Sequence, residues 1–476
     1  MILDTIVAAT KERVAVLKAT TPLEVVKAQA EQAAKEELAG NGGQFPFAFE
    51  KALRAGSMNF ICEVKKASPS KGVIAEDFPY LEIAKDYEKA GAAAISVLTE
   101  PKFFMGADEY LSDIAKTVAI PVLRKDFIID SYQIYEAKVI GASAILLICA
   151  ILSEAELQSF HDLAHSLGLA CLVEAHSEEE IAKAMAVGAR IIGVNNRDLR
   201  DFTVDINHSI RLRSLVPESV TFVSESGLNT AADIDVLRKN GITAALIGER
   251  FMRVAGKGKG IAELYGEVPP VVTKICGLKR SEDIEAINAL PAELRPAYIG
   301  FVFALGKRQI TAATAQKLAA ALVPGVKKAG VFVNESLATV AKLAETVPLD
   351  VIQLCGDETE ADIKELRTLT KAKIWKAVQV ATEADVARWR DSEADMLLFD
   401  TYVAGERGGS GRSFDWSVLK NVNRPFMLAG GLNSRNVARA VRIARPYGVD
   451  ISSGVETDGY KDDRKIREFV TTVKTI

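Results

Sequence analysis

Short apolar runs alternate with longer amphipathic stretches along most of this chain. A continuous apolar run bounded by polar residues is typical of a strand in a parallel sheet that is covered on both faces. The stretches between the runs carry apolar residues at helical spacing among charged ones, so the rhythm predicts βα units. Ahead of the first run, Ile2 to Lys18 and Pro22 to Leu38 show only the helical pattern and predict two extra helices.

The apolar runs fall into two sets of eight. The first set predicts strands near Asn59–Val64, Ala93–Leu98, Pro121–Lys125, Ala144–Ile148, Ala170–Glu174, Ile191–Val194, Val220–Ser224 and Ala244–Ile247. The second set predicts strands near Val271–Ile275, Tyr298–Val302, Lys328–Val333, Asp350–Leu354, Lys373–Val378, Met396–Phe399, Pro425–Leu428 and Gly448–Ile451. Between the sets lies a linker region, 256–270, which opens with alternating glycine and lysine, continues with a short helical piece and ends in two prolines.

The two halves also resemble each other in their turns. Gly227 and Gly248 follow the last two strands of the first set, and Gly431 and Gly454 follow those of the second set at nearly the same separation. Eight strands per half and these repeated turns favour two consecutive (β/α)8 TIM barrels over two doubly wound sheets. We predict an α/β chain with one barrel over 1–255, including the N-terminal helical extension, and the other over 256–476.

Composition excludes several classes of function. With 49% hydrophobic and 26% charged residues the chain is globular, and its net charge of −4 gives no reason to expect nucleic acid or an anionic membrane as a partner. No apolar signal core follows the N-terminus, and the most apolar stretch, 139–152, is too short to span a bilayer. The five cysteines contain no C-x-x-C pair, so we expect reduced thiols in a cytoplasmic protein.

Polar residues close five of the eight predicted strands in the first half. They are Glu63 and Lys65 on strand one, Lys125 on strand three, Glu174 on strand five, Asn195 and Arg197 on strand six, and Glu225 and Ser226 on strand seven. Catalytic groups of such barrels lie at the carboxyl ends of the strands, so these side chains are expected to converge on one mouth. A set of rim salt bridges is the structural alternative, and it would explain one or two of them.

The glycines after strands seven and eight have a separate interpretation. Gly227 and Gly248 leave backbone N–H groups free to approach a phosphate, which these barrels bind in the loops after strands seven and eight. Each glycine could instead merely permit a tight turn. Because the pattern recurs in both loops of both halves, we favour phosphate binding.

The strand ends of the first half carry five motifs, in order, that resemble those of indole-3-glycerol-phosphate synthases. The motifs are Glu63-Val64-Lys65-Lys66-Ala67-Ser68-Pro69-Ser70, Leu123-Arg124-Lys125-Asp126-Phe127, Val173-Glu174-Ala175-His176, Gly193-Val194-Asn195-Asn196-Arg197-Asp198-Leu199 and Ser224-Glu225-Ser226-Gly227. The resemblance covers Met1 to Ala255. It implies that this half closes the ring of 1-(2-carboxyphenylamino)-1-deoxyribulose 5-phosphate with loss of CO₂ and water.

The resemblance also implies roles for these residues. Lys125 is expected to be the general acid, and Glu174 is expected to handle the later proton removal and the departure of hydroxide. How far Lys65 shares the acid role stays open. The remaining expectations are that Glu63 and Asn195 position hydroxyls and that Lys65, Ser68, Arg197, Glu225 and Ser226 bind the substrate.

A thiol and a carboxylate close two predicted strands of the second half. Cys276 follows the first strand and Asp400 the sixth, and together they could serve as a base and an acid. Taken alone, Cys276 would more often be a buried small residue, because free cysteine packs well. Other motifs of this half favour a catalytic role for Cys276, since glycine segments at 408–411, 430–431 and 454 accompany the pair.

Together these features resemble phosphoribosylanthranilate isomerases, from about Pro270 to the C-terminus. The resemblance implies that Asp400 protonates the ribose ring oxygen and that Cys276 removes the C2 proton. Arg308 is then expected to hold the anthranilate carboxylate, and the glycines expected to hold the phosphate are Gly411, Gly431 and Gly454. Two positions depart from the family pattern: Gly306-Lys307-Arg308 stands where Ser-Pro-Arg is usual, and Cys355 stands where a histidine is common.

The product of such an isomerase is the substrate of such a synthase, so we expect consecutive steps of tryptophan biosynthesis in one chain. The resemblance implies no metal and no organic cofactor, and we expect a monomer without an obligatory protein partner. His161 and His165 stand one helical turn apart, but with no third ligand near them in sequence we interpret them as part of a solvated helix face. Another phosphosugar-processing double barrel and a non-catalytic phosphate-binding pair stay as alternative functions.

Overall fold

Two compact units, Met1–Glu267 and Val268–Ile476, make up the chain. The computed structural model describes residues 2–56, 58–198, 203–253, 257–266, 268–401, 414–419 and 421–476. Each unit contains a closed barrel of eight parallel strands, in which strands consecutive in sequence are neighbours and the last pairs with the first. The predicted fold of two consecutive (β/α)8 barrels is therefore confirmed.

In the first unit three helices precede the barrel: Ile2–Thr20, Leu23–Gly40 and Ala48–Arg54. The barrel strands are Asn59–Val64, Ala94–Leu98, Val122–Lys125, Ala144–Ile148, Ala170–Ala175, Ile191–Asn195, Thr221–Glu225 and Ala244–Ile247. The helices around them are Tyr80–Lys89, Asp108–Thr117, Ser131–Val139, Glu154–Ser166, Glu178–Ala186, Asn207–Arg213, Ala231–Lys239, Glu249–Arg253 and Lys257–Tyr265. A two-residue hairpin pairs Ala67–Ser68 with Gly72–Val73 after the first strand.

In the second unit the barrel strands are Val272–Cys276, Tyr298–Val302, Lys327–Phe332, Val351–Leu354, Lys373–Val380, Met396–Thr401, Phe426–Leu428 and Gly448–Ile451. The α-helices are Ser281–Asn288, Ala312–Ala321, Leu337–Thr346, Glu360–Leu369, Glu383–Arg388, Val437–Ala444 and Asp463–Lys474. Short 3-10 helices cover Ala292–Leu294, Trp416–Leu419 and Ser453–Val455, and a hairpin pairs Glu456–Thr457 with Tyr460–Lys461. In both units the predicted strand ends lie within two residues of the observed ones.

Side-chain alternation divides each strand between two cores. In the first strand Phe60, Cys62 and Val64 pack into the core beneath the helices, whereas Ile61 belongs to the core inside the barrel. Because successive residues of a strand point to opposite faces, Glu63 shares the inner face with Ile61. The same alternation brings the polar residue near each strand's carboxyl end to the barrel mouth.

The division between the two units lies beyond the predicted one. Residues 255 and 256 lie outside the described residues, but Lys257–Tyr265, which we had assigned to a linker, is a helix of the first unit. Ile261 and Leu264 are fully buried in the first barrel's outer core. The sequence predicted only a short helical piece after 256–260, because glycine is a poor helix former.

The interpretation of His161 and His165 as a solvated face is wrong. His161 is only 4% exposed and His165 is half-buried, because this side of the helix Glu154–Ser166 packs towards the barrel. The two rings lie with their centroids 4.0 Å apart. Spacing alone could not distinguish this inner face from the outer one.

Candidate active sites

The mouth of the first barrel is a cavity of about 720 Å³. It is lined by every residue that the sequence predicted for this half: Glu63, Lys65, Ser68, Lys125, Glu174, Asn195, Arg197, Glu225, Ser226, Gly227 and Gly248. The N-terminal extension also contributes, through Ile2, Leu3 and Ile6. Strand ends far apart in sequence therefore converge on one concave site, which is the arrangement expected of a barrel enzyme.

Lys125 occupies the centre of the charged residues. Its Nζ donates to Glu225 Oε2 at 2.8 Å and to Glu174 Oε2 at 3.3 Å. Burial alone would lower the pKa of Lys125, but the neighbouring carboxylates raise it above its ordinary value. Lys125 is thus held as an ammonium ion whose position is set by two carboxylates.

The two carboxylates around Lys125 differ from each other. Burial raises the pKa of Glu225 to about 7, and the negative charge of Glu174 adds to that shift. Burial also acts to raise the pKa of Glu174, but the charges of Lys125 and His176 bring it below its ordinary value. At neutral pH Glu174 is ionised, whereas Glu225 is poised to exchange a proton.

His176 is a member of this cluster that the sequence analysis did not single out. Its Nε2 lies 3.9 Å from Glu174 Oε1. Burial acts to lower the pKa of His176, but Glu180 and Glu174 raise it above its ordinary value. A signal was available in the motif, because His176 follows Glu174 by two residues and alternation continues the same face.

Glu63 and Lys65 form an ion pair at the end of the first strand, with Glu63 Oε1 2.7 Å from Lys65 Nζ. Their shared face follows from the i, i+2 spacing. Gly248 lies against this pair, since a Cβ at that position would come within 2.5 Å of Glu63 Oε1. The glycine therefore makes room for Glu63, independently of any phosphate.

Gly193 has a comparable function on the other side of the mouth. A Cβ at Gly193 would come within 2.2 Å of Glu225 Oε1. Glu225 is paired in register with Asn195 on the neighbouring strand. Gly193 therefore allows the buried carboxylate of Glu225 to pack against the backbone of the sixth strand.

The N-terminal helix is tied to the residue that follows Lys125. Arg13 Nη2 donates to Asp126 Oδ1 at 2.7 Å, and Asp126 is fully buried. Thr99 Oγ1 donates to the other oxygen, Asp126 Oδ2, at 2.6 Å. Burial acts to raise the pKa of Asp126, but Arg124 and Arg13 hold it below its ordinary value. The helix thereby fixes the loop that begins at Lys125.

In the second barrel, Cys276 ends the first strand and lies above a buried ion pair. Lys274 Nζ donates to Asp450 Oδ2 at 2.8 Å within the barrel interior. Burial raises the pKa of the Cys276 thiol, and the charge of Lys274 opposes that shift. A Cβ at Gly300 would come within 2.6 Å of Cys276 Sγ, so the neighbouring strand leaves space for the thiol.

Asp400 lies at the end of the sixth strand of the same barrel. Burial raises its pKa to about 6, although its Oδ1 accepts a hydrogen bond from the backbone N–H of Thr401 at 2.7 Å. The charges of Asp450 and Lys274 also act on Asp400. The same buried ion pair, Lys274–Asp450, therefore acts on the pKa of both Asp400 and Cys276.

Arg308 is held at the same mouth. Its guanidinium donates to both carboxylate oxygens of Glu456, at 2.7 and 2.8 Å. Lys461 Nζ also donates to Glu456 Oε1, at 2.7 Å, and to the backbone oxygen of Ser452 at 2.9 Å. Burial acts to raise the pKa of Glu456, but these two cations lower it to about 2. The unusual Gly306-Lys307-Arg308 segment thus still brings a guanidinium to the site.

At most of the glycines predicted to bind phosphate, the local backbone geometry by itself favours glycine. Gly227 and Gly431 have φ angles of +81° and +61°, which favour glycine. A Cβ at Gly454 would come within 2.1 Å of the backbone oxygen of Leu432. Gly411 lies outside the described residues. At Gly227, Gly431 and Gly454 the backbone therefore favours glycine whether or not a phosphate binds, and phosphate binding stays a prediction.

Cys355, which replaces the family's histidine, is a half-buried residue at the end of the fourth strand of this barrel. Gln353 Nε2 donates to Cys355 Sγ at 3.2 Å, and burial raises the pKa of the thiol to about 12. All five cysteines are free thiols. Within the described ranges, no helix combines the length and the hydrophobicity that a membrane-spanning segment needs.

Comparisons with known proteins agree with the family resemblance of both halves of the chain. A family model described as indole-3-glycerol phosphate synthase matches residues 3–264, and one described as N-(5'-phosphoribosyl)anthranilate isomerase matches residues 273–472. The indole-3-glycerol phosphate synthase of Ruminiclostridium cellulolyticum is 57% identical over 266 residues, which is 56% of this chain and 99% of that protein.

Two relatives extend across both barrels. The tryptophan biosynthesis protein TrpCF of Haemophilus influenzae is 39% identical, covering 88% of each chain. The TrpCF protein of Helicobacter pylori is 37% identical, covering 90% of this chain and 92% of its own. The chain therefore belongs to the family of bifunctional enzymes of tryptophan biosynthesis that join an N-terminal indole-3-glycerol phosphate synthase to a C-terminal phosphoribosylanthranilate isomerase.

Proposed function

We propose that the first barrel closes the indole ring of 1-(2-carboxyphenylamino)-1-deoxyribulose 5-phosphate with Lys125 as the general acid. The substrate's ketone oxygen must take up a proton, or share one, while the aromatic carbon attacks. Lys125 is the protonated group at the centre of the cavity, and Glu225 and Glu174 orient its Nζ at 2.8 and 3.3 Å. That doubly anchored ammonium is the single observation that carries the assignment.

The later steps of the synthase need a base and a set of binding groups. After loss of CO₂, a proton must leave and hydroxide must depart as water, and we assign both to Glu174, which is ionised at neutral pH. Positioning of the hydroxyls is assigned to Glu63 and Asn195. The substrate's negative groups are assigned to Lys65 and Arg197, and its further polar contacts to Ser68, Glu225 and Ser226.

In the second barrel we propose that N-(5-phosphoribosyl)anthranilate is isomerised by Asp400 and Cys276. Asp400 gives a proton to the ribose ring oxygen, the C1–O bond breaks, and an iminium forms. Cys276 then takes the C2 proton, and the resulting enol becomes the ketone. The pKa of about 6 supports Asp400 as the acid, because it keeps a protonated fraction available near neutral pH. Arg308 is assigned to the anthranilate carboxylate.

The phosphate groups are assigned to the loops after strands seven and eight of each barrel. The residues are Gly227 and Gly248 in the first barrel and Gly411, Gly431 and Gly454 in the second. We further propose that the chain acts as a monomer in the cytoplasm. Five free thiols support a reducing compartment, and each barrel supplies its own acid and base.

The experiment that tests this account separates the two activities. Lys125→Ala should abolish indole-3-glycerol phosphate formation and leave the isomerase nearly intact, whereas Asp400→Ala should do the reverse. Lys116→Ala, a change at an exposed helix residue of the first barrel, is the matched control and should leave both rates unchanged. If either catalytic variant lost both activities while circular dichroism showed a folded protein, the two sites would not be separate.

A further inference from the structure

A cluster of three potential metal ligands lies in the first unit away from the catalytic mouth. His161 and His165 stand one turn apart on the helix Glu154–Ser166, and Cys171 is the second residue of the fifth strand. One ligand atom from each of the three side chains lies within 4.8 Å of the others. A connection of only three residues between helix and strand brings the groups together.

The cluster belongs to the layer between the barrel and its helices. Cys171 packs in the outer core, whereas its neighbours Ala170 and Leu172 pack in the core inside the barrel. Glu174 lies three residues further along the same strand, and alternation points it inward, to the mouth cavity. The cluster is therefore separated from the proposed catalytic groups by the wall of the barrel.

The side chain of His161 is an independent observation that points to a ligand. Its side chain is buried, with a relative exposure of 4%, yet neither ring nitrogen has a hydrogen-bond partner among the residues that the structure describes. Asp162 Oδ1 lies 3.7 Å from His161 Nδ1, beyond hydrogen-bond distance. Buried polar atoms in folded proteins are normally satisfied, so an imidazole with two unpaired nitrogens calls for an explanation.

The chemistry of the three side chains suits a cation. A neutral imidazole binds a metal ion through the lone pair of a ring nitrogen, and cysteine binds it as the thiolate. Binding forms two metal–nitrogen bonds and one metal–sulfur bond, breaks the S–H bond of Cys171 and releases one proton to solvent.

The charged side chains around the three ligands nearly cancel one another before the Cys171 thiolate forms. Arg190 would repel a cation, but its Nη2 is paired with Glu50 Oε1 at 2.8 Å. Asp162 adds a negative charge beside His161. With the Cys171 thiolate formed, the surroundings of the cluster are net negative, which favours a divalent ion.

We propose that His161, His165 and Cys171 bind one divalent zinc-class cation that fastens the helix Glu154–Ser166 to the fifth strand. Two imidazoles and a thiolate form a ligand set that zinc accepts, with solvent in the fourth position. Bonds of about 2.0–2.3 Å require the ligand atoms to close in by about 1 Å each, which side-chain rotation can supply. Half-buried His165 provides the entry path.

The test uses the full chain, stripped of metal with a chelator and titrated with Co²⁺. We expect one equivalent per chain and a thiolate-to-cobalt charge-transfer absorption. Cys171→Ser should abolish that absorption, and His161→Gln should weaken Co²⁺ binding at least tenfold. The matched control is Cys149→Ser, which removes another buried thiol of the same barrel and should leave the titration unchanged.

Folding is checked by circular dichroism, and His165→Gln at the half-buried position provides a second variant if Cys171→Ser does not fold. It should also weaken Co²⁺ binding at least tenfold. Absence of the charge-transfer absorption in the unmodified chain would overturn the proposal. An absorption that survives Cys171→Ser but disappears in Cys276→Ser would also overturn it, because the thiolate would then belong to the isomerase barrel.

Discussion

The candidate catalytic groups at the two barrel mouths differ in how their surroundings shift their pKa values. In the first barrel Lys125 is a charged ammonium bonded to Glu225 and Glu174. In the second barrel burial raises the pKa of both Cys276 and Asp400, which favours their neutral forms. The same architecture thus supports a lysine held charged by two carboxylates at one mouth and, at the other, a thiol and a carboxyl whose pKa values burial raises; the difference lies in the side chains at the strand ends.

The difference follows what each proposed reaction requires. Ring closure must orient a substrate with a carboxylate, a phosphate and several hydroxyls, so many fixed charges are useful at once. The isomerisation moves one proton on and another off, which needs an acid that still carries its proton and a base that can lose its own. Beneath the second mouth, the Lys274–Asp450 pair acts on both of these groups.

The largest effect is expected at the thiol. Cys276→Ser keeps the shape of the side chain but replaces a thiol by a hydroxyl that is far harder to ionise, so isomerase kcat should fall by ~10²-fold or more. Steady-state assays with N-(5-phosphoribosyl)anthranilate measure this loss. The matched control is Cys355→Ser, which should have a small effect. A near-normal rate in Cys276→Ser would make Cys276 a packing residue and direct attention to Cys355.

An intermediate effect is expected at the charged mouth. Lys65→Met should weaken substrate binding and slow ring closure by about ten- to a hundredfold, because one charge-assisted contact contributes roughly 1.5–3 kcal/mol. The isomerase of the same chain is an internal control and should not change. If the variant instead unfolded the first barrel, with unchanged activity per folded molecule, the Glu63–Lys65 pair would be a structural ion pair.

The smallest effect is expected at the N-terminal extension, which precedes the first barrel only. Arg13→Met removes one cation from buried Asp126 while Arg124 and Thr99 stay beside it. We expect a loss of about 1–3 kcal/mol in the stability of the first barrel, measured by urea unfolding, and a synthase rate reduced only several-fold. Arg211→Met, at an exposed ion pair, should cost much less. Equal costs for the two variants would contradict a specific role of the Arg13–Asp126 contact.

The sequence was most informative where the chain repeats a physical pattern. Buried runs such as Ala144–Ile148 predicted strands to the residue, and alternation predicted that Glu63 and Lys65 share a face. The helix Lys257–Tyr265 begins inside the glycine–lysine stretch that we interpreted as a linker, because glycine is a poor helix former. Contacts between distant segments could not be predicted either. The order of residues does not show that Lys125 donates a hydrogen bond to Glu225 or that Cys171 lies beside His161.

The pKa order within each mouth was equally hidden from the sequence. Glu174 and Glu225 occupy equivalent strand ends, yet one carboxyl has a lowered pKa and the other a raised one. Both carboxyls are buried beside Lys125, so the difference comes from the other neighbours: the charge of His176 lowers the pKa of Glu174, whereas the charges of Glu174 and Glu63 raise that of Glu225. The motifs therefore predicted which residues lie together at each mouth, whereas the pKa differences among them depend on the fold.

The central claim, that burial raises the pKa of both the acid and the thiol of the second mouth, is tested most directly by the pH dependence of the isomerase kcat/KM. The active form needs Asp400 protonated and Cys276 ionised. Between the Asp400 pKa of about 6 and the higher pKa of Cys276, the fraction of protonated acid falls as fast as the fraction of thiolate rises, so the rate should be flat. Below pH 6 the acid is already protonated, and the rate should fall about tenfold per pH unit as thiolate is lost. A rate that rises as the pH falls through 6 would contradict the account, because the thiolate would then not be required.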